Sequence, residues 1–201
     1  MQSAQNPNTL DVIAVHKTDR TVAFFDGANM WATGKSLEFD FDYKSLLGLL
    51  QDKFNLISAL YYSAVKIDPT RSDDHVAIRP ILDWLSYNGF VVVEKPAKVL
   101  TDSSGNVIKI KGNMDVEIAV HAMEAANYAT IILLFTGDGD FTELVRALQR
   151  KGVRVIVFSS IQTKNPMIAD ELRRQANHFV ELNTLREVIG RKSRIQEGNE
   201  T

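Results

Sequence analysis

Six apolar runs, each rich in β-branched or aromatic residues and each bounded by turn residues, punctuate the chain: TVAFF (21–25), LISALYYS (56–63), FVVVE (90–94), TIILLF (130–135), VRVIVF (153–158) and HFVEL (178–182). They are continuous rather than alternating, and a strand that is apolar at successive positions has to be covered on both faces, as in a parallel sheet. Between them the pattern predicts helices at 42–53, 73–88, 113–126, 139–151 and 166–175. Strands and helices in alternation predict a doubly wound α/β domain. One insertion, KPAKVLTDSSGNVIKIKGN, has strand-like flanks around Ser-Ser-Gly-Asn and predicts a hairpin with a tight turn.

A chain of 201 residues with 45% hydrophobic content suits one well-buried domain rather than two. The expected boundaries are a domain at 19–190 between a polar tail, 1–18, and a charged tail, 191–201. The formal net charge of -2 gives no global signature of a nucleic-acid binder, so any such surface has to be a local patch. The absence of cysteine excludes disulfides, thiolate metal sites and thiol chemistry, and fits a reducing compartment. No run approaches the ~18 apolar residues of a membrane span, and the N-terminus lacks the pattern of a secretory signal, so a soluble, cytoplasmic protein is expected.

In an α/β sheet of this type ligands bind beyond the carboxyl ends of the strands, where strand order reverses. Two strand ends here carry aspartates: DGAN follows TVAFF, giving Asp26 and Asn29, and TGDGD follows TIILLF, giving Asp138 and Asp140. Asp115, in KGNMDVEIAV, opens the predicted helix after the hairpin. If strands 21–25 and 130–135 are neighbours, Asp26, Asp138 and Asp140 converge on one cleft. Hard oxygen donors of this kind suit Mg2+ or Mn2+ better than zinc.

Each acid also has a structural reading. Asp140 with Glu143 three residues on resembles a capping box. Asp115 at a helix start can cap it or complement its dipole. Asp26-Gly27 can form a turn, with Asn29 capping the next helix. Asp138, between two glycines, is the least explained this way. Caps and ligands are compatible, so the joint placement at strand ends carries the argument. Gly34-Lys35-Ser36 imitates the end of a phosphate-binding loop, but the glycine required five residues before Gly34 is Asn29, which places Lys35 in an ordinary solvated loop.

Three segments in order, FFDGANM, KGNMDVEIAV and TGDGDFTELVRALQRKGVRVIVF, resemble the NYN domain, the LabA-like branch of the PIN-like nuclease superfamily, over residues 20–182. The resemblance implies a Rossmann-like three-layer α/β/α fold with a mainly parallel sheet, an acidic cleft holding Mg2+ or Mn2+, and ribonuclease activity. It implies that Asp26 and Asn29 belong to the first motif, that Asp115 is the acid after Lys-Gly, and that Asp138 and Asp140 are the pair of the Ser/Thr-Gly-Asp-x-Asp motif. Many relatives carry another aspartate six residues after Asp115, where this chain has His121. Residues six apart on a helix differ by about 240° in direction, so His121 shares a cleft with Asp115 only if Asp115 precedes the regular turns.

The expected reaction is metal-dependent hydrolysis of RNA phosphodiester bonds, with Asp26, Asp115 and Asp138 as principal ligands, Asp140 supporting a second ion or a water, and Asn29 orienting water or phosphate. Lys95, Lys98, Lys109 and Lys111 surround the hairpin and make it a candidate RNA-contacting flap, while Trp31 and Phe39 flank the first motif and can stack single-stranded bases. A homo-oligomer is compatible with this reading. The alternatives are a non-catalytic RNA- or protein-binding module of the same fold, and a phosphohydrolase using Asp26 as nucleophile. The latter chemistry calls for a second acid where Ala28 stands.

Overall fold

The computed structural model describes residue 10 and residues 12–65, 78–101 and 107–191, with backbone alone at 98–101 and 107–111. The elements in chain order are β1 (Thr21–Asp26), α1 (Gly27–Leu37), α2 (Tyr43–Lys53), β2 (Leu56–Val65), α3 (Arg79–Tyr87), β3 (Val91–Pro96), β4 (Lys98–Thr101), β5 (Val107–Lys111), α4 (Asp115–Ala125), β6 (Ile131–Phe135), α5 (Thr142–Arg150), β7 (Arg154–Ser159), α6 (Asp170–Gln175), β8 (His178–Glu181) and α7 (Arg186–Ile189). All six predicted strands join one sheet in the order β3-β2-β1-β6-β7-β8, and every pairing is parallel.

The continuous apolar runs are explained by a core on each face of the sheet. Ala23, Phe25, Leu133, Phe135, Ile156 and Phe158 point to one side, under α1, α2, α3 and α7; Val22, Phe24, Ile132, Leu134, Val155 and Val157 point to the other, under α4, α5 and α6. On the first face Phe25, Phe135 and Phe158 lie at matched register on β1, β6 and β7 and stack with centroid separations of 4.1 and 4.2 Å. Truncating such a fully buried ring to alanine typically costs about 3–5 kcal/mol.

Strand order runs one way from β1 through β2 to β3 and the other way from β6 through β7 to β8. The reversal falls between β1 and β6, so the crevice expected at such a point opens at Asp26 and the loop after Phe135.

Several local expectations are corrected. Residues 27–37 form a helix rather than a turn and loop, because the Asp26 carboxylate accepts the Asn29 N–H and caps a helix that begins at Gly27. Lys35 therefore sits in the last turn of α1. The proposed Asp140–Glu143 capping box does not form: Asp138 accepts the Asp140 N–H and caps a short 3-10 turn, Gly139–Phe141, while Glu143 pairs with Arg146 and Arg150. The helix expected at 166–175 is confined to α6, and the segment before it folds over Gly137, whose carbonyl accepts the Ala169 N–H. The first part of the helix expected at 73–88 and the turn of the hairpin lie outside the described residues; the hairpin arms pair antiparallel as a separate two-stranded sheet. Leu10 and Ile13, in the stretch expected as a tail, are buried in the core. Among the described residues no helix is long and apolar enough to cross a membrane.

Candidate active site

Asp26 ends β1 and is buried, with 9% of its surface exposed. Its Oδ1 accepts the Asn29 N–H at 3.2 Å and its Oδ2 accepts the Thr136 hydroxyl at 3.1 Å. Burial pushes the Asp26 carboxyl above the usual carboxylate range; these hydrogen bonds oppose that shift, and the Asp138 charge adds to it. Directly in front of Gly27 the backbone is crowded: a Cβ there would stand 2.6 Å from the Tyr62 carbonyl oxygen, so the entry into α1 requires glycine.

Asn29 ties the first motif to the third. Its Oδ1 accepts the Gly137 N–H at 3.0 Å and the Thr33 hydroxyl at 3.4 Å. The expected role in orienting water or phosphate is thus replaced, for this oxygen, by a brace between α1 and the loop after β6. Thr136 completes the brace, since its hydroxyl donates to Asp26 and its Oγ1 accepts the Asp138 N–H at 3.3 Å. That loop is held from the other side by the segment before α6: a Cβ on Gly137 would fall 1.6 Å from the Met167 carbonyl oxygen.

The result is a carboxylate group. One oxygen each from Asp115, Asp138 and Asp140 lies within 4.8 Å of the others. Asp115 is the first residue of α4, and Asn113 Nδ2 donates to its Oδ2 at 2.6 Å. Burial raises the Asp115 pKa, and the charges of Asp138, Asp26 and Asp140 raise it further. Among the described residues no lysine or arginine forms an ion pair with these three acids. Asp26 stands behind the group, close enough to act on it electrostatically, with both its oxygens engaged by the protein. The three acids within reach of one another are therefore Asp115, Asp138 and Asp140, rather than the expected set led by Asp26.

The remaining expected residues divide. His121 is outside the carboxylate group, because α4 begins at Asp115 and turns His121 toward β2, where Nδ1 lies 2.9 Å from the Tyr62 hydroxyl. Lys95 pairs with Glu117 of α4, with Nζ 2.7 and 2.8 Å from its two oxygens. The side chains of Lys98, Lys109 and Lys111 lie outside the described residues. Trp31 is 66% exposed, whereas Phe39 packs edge-on against Phe41 and beneath the Arg186 guanidinium. Asp26, Asp115 and Asp138 line one end of a cleft of about 880 Å³ that extends along α1. Thr136 and Asn113 were not among the expected site residues, although each lies inside a recognised motif, two positions before its acid.

A model of the NYN domain matches residues 20–183. The chain belongs to the NYN domain family. That family lies within the PIN-like nuclease superfamily, and the six-stranded parallel sheet flanked by helices is its α/β architecture. Among curated proteins the chain is similar to the low amplitude and bright protein LabA of Synechococcus elongatus, at 29% identity over 181 residues that cover 89% of this chain and 91% of LabA. Among solved structures it is similar to a protein of unknown function from Vibrio parahaemolyticus, with a TM-score of 0.66 and 24% identity over 85% of this chain and 96% of that one. The Vibrio likeness concerns the fold. The matched span contains Asp26, Asp115, Asp138 and Asp140.

Proposed function

We propose that this NYN domain is a divalent-metal-dependent ribonuclease that hydrolyses phosphodiester bonds of single-stranded RNA at Asp115, Asp138 and Asp140. The observation that carries the reading is the convergence of these three carboxylates within 4.8 Å at the switch point of the sheet, with no lysine or arginine in an ion pair with them among the described residues. Burial raises the Asp115 pKa, and the neighbouring carboxylate charges add to that shift. A donor set made of carboxylate oxygens suits Mg2+ or Mn2+.

Asp115, Asp138 and Asp140 would hold the ion. When bound, such an ion supplies an activated water and neutralises charge on the phosphoryl oxygens. The chain's own part is placement. Thr136 and Asn29 fix the loop after β6 against α1, which sets the direction of Asp138 and Asp140. Asn113 orients the Asp115 carboxylate by donating to one oxygen. Asp26 keeps Thr136 in place and adds negative potential behind the group.

The test is cleavage of an end-labelled single-stranded RNA and a matched DNA with Mn2+, Mg2+ or EDTA, comparing the wild type with Asp138→Asn. Metal-dependent cutting of RNA that disappears in the variant is the expected result. RNA binding without cutting under either metal would replace the reading with a non-catalytic module of the same fold. The observation favouring that second reading is His121, bonded to Tyr62 at the position where the family resemblance implies a further aspartate.

A further inference from the structure

The carboxylate group explains where a phosphodiester would be cut and leaves open what holds the RNA there. A cluster of acids repels a polyanion, and Lys95, the described lysine of the hairpin region, is already paired with Glu117. The same cleft continues from Asp26, Asp115 and Asp138 along α1 to Trp31, Phe39 and Arg191.

Two of these residues present an exposed ring and an exposed cation to the cleft, although the Arg191 charge also acts on Asp42. Trp31 is a large ring left 66% exposed on α1, with Lys35 Nζ 6.0 Å from its centroid. Arg191 is the single cation among the described residues that line the cleft; its backbone N–H is held by the Asp40 carbonyl, and the residue is exposed. Trp31 lies five residues beyond the Asp26 cap, which corresponds to about 7–8 Å along the helix axis. That is the length of about two nucleotides at the spacing of a stacked strand.

We propose that this cleft is the track for the RNA next to the scissile bond, with a base stacked on Trp31 and a neighbouring phosphate held by Arg191. The proposal rests on the ribonuclease reading above. It also gives the site a substrate class: a base must leave its stack to lie on Trp31, so single strands are accepted and continuous duplex is rejected. The attraction missing at the carboxylates is supplied by Arg191.

The protein contains two tryptophans, so Trp84→Phe leaves Trp31 as the sole source of tryptophan emission. Binding of an end-labelled single-stranded RNA is followed with Ca2+ in place of Mg2+ or Mn2+, by label anisotropy and by Trp31 emission together. The expected result is saturable quenching of Trp31 by single-stranded RNA and little by duplex. Trp31→Ala should weaken binding by about 5- to 150-fold. Arg191→Gln should weaken it as well and reduce the slope of log affinity against log salt by about 0.7. RNA binding with unchanged Trp31 emission, and with wild-type affinity and salt slope in both variants, would overturn the track and leave the ribonuclease reading standing. No RNA binding by either signal, together with no cutting in the cleavage assay, would overturn both.

Discussion

The side-chain oxygen of Asn29 accepts the backbone N–H of Gly137 across 108 residues of sequence, at 3.0 Å. This bond joins the helix that follows β1 to the loop that follows β6, and the acids of both motifs depend on it for their relative placement. Replacing Asn29 with alanine orphans a half-buried N–H and removes the partner of Thr33 as well. The expected cost is about 1–3 kcal/mol of stability, read by chemical denaturation. Cleavage should fall further than RNA affinity does, since the acids move while the cleft wall remains.

The metal-free protein should become more stable when Asp26 is made neutral. Its folded pKa lies above the unfolded value of 3.8, so its contribution to stability is fully present below that value and is lost as pH rises through the folded one. Asp26→Asn keeps an oxygen for the Asn29 N–H and removes the charge. In EDTA the variant should melt above the wild type at neutral pH, and the two should converge toward about pH 4. A variant that melts lower at neutral pH would show that the carboxylate is needed for the brace with Thr136.

Metal should stabilise the folded chain through the carboxylate group. At a concentration about 100 times the dissociation constant the gain is about 2.7 kcal/mol, or about 5–10 °C in Tm for a domain of this size. Asp115→Asn, Asp138→Asn and Asp140→Asn should each lose most of that shift in a thermal titration with Mn2+. Equal shifts in all three variants would mean that the ion binds elsewhere.

Two glycines make a paired test of the loop after β6. Gly137→Ala puts a Cβ 1.6 Å from the Met167 carbonyl oxygen, so backbone has to move, and a loss of about 3 kcal/mol or more is expected. Gly48, within α2, has no atom within 4 Å of an added Cβ, and Gly48→Ala should instead gain about 0.5–1 kcal/mol from helix propensity. Guanidinium melts of the two variants give both signs in one experiment.

His121 should behave as a packing residue. His121→Ala leaves the hydroxyl of the buried Tyr62 without its partner and should cost about 1–3 kcal/mol, while the midpoint of the Mn2+ titration stays where it is. A tenfold shift of that midpoint would instead make the imidazole part of the metal site.

The strands were readable because the central ones, β1, β6 and β7, bury both faces, and that requirement is written locally, in runs such as TIILLF. The helix α1 was not, because Asp-Gly serves equally for a turn and for a capped helix start, and the choice was made by packing of Gly27 against Tyr61 and Tyr62 of β2. The four acids were readable as a set from their places at strand and helix ends. Their separation into a group of three and a buried brace was not, since Thr136 and Asn29 act on them through contacts between distant segments. The pairing of Lys95 with Glu117 was equally a matter of β3 lying beside α4.

The sequence by itself thus determined the layered α/β fold and the family of acids, because periodicity, turn chemistry and motif order are properties of neighbouring residues. Only the tertiary structure decided which carboxylates meet, which are spent on capping and which cation faces the cleft. A hydrogen bond or a repulsion acts over a few ångströms in space, and the sheet brings Asp26 beside Thr136 and α4 beside the loop after β6 without regard to their distance along the chain.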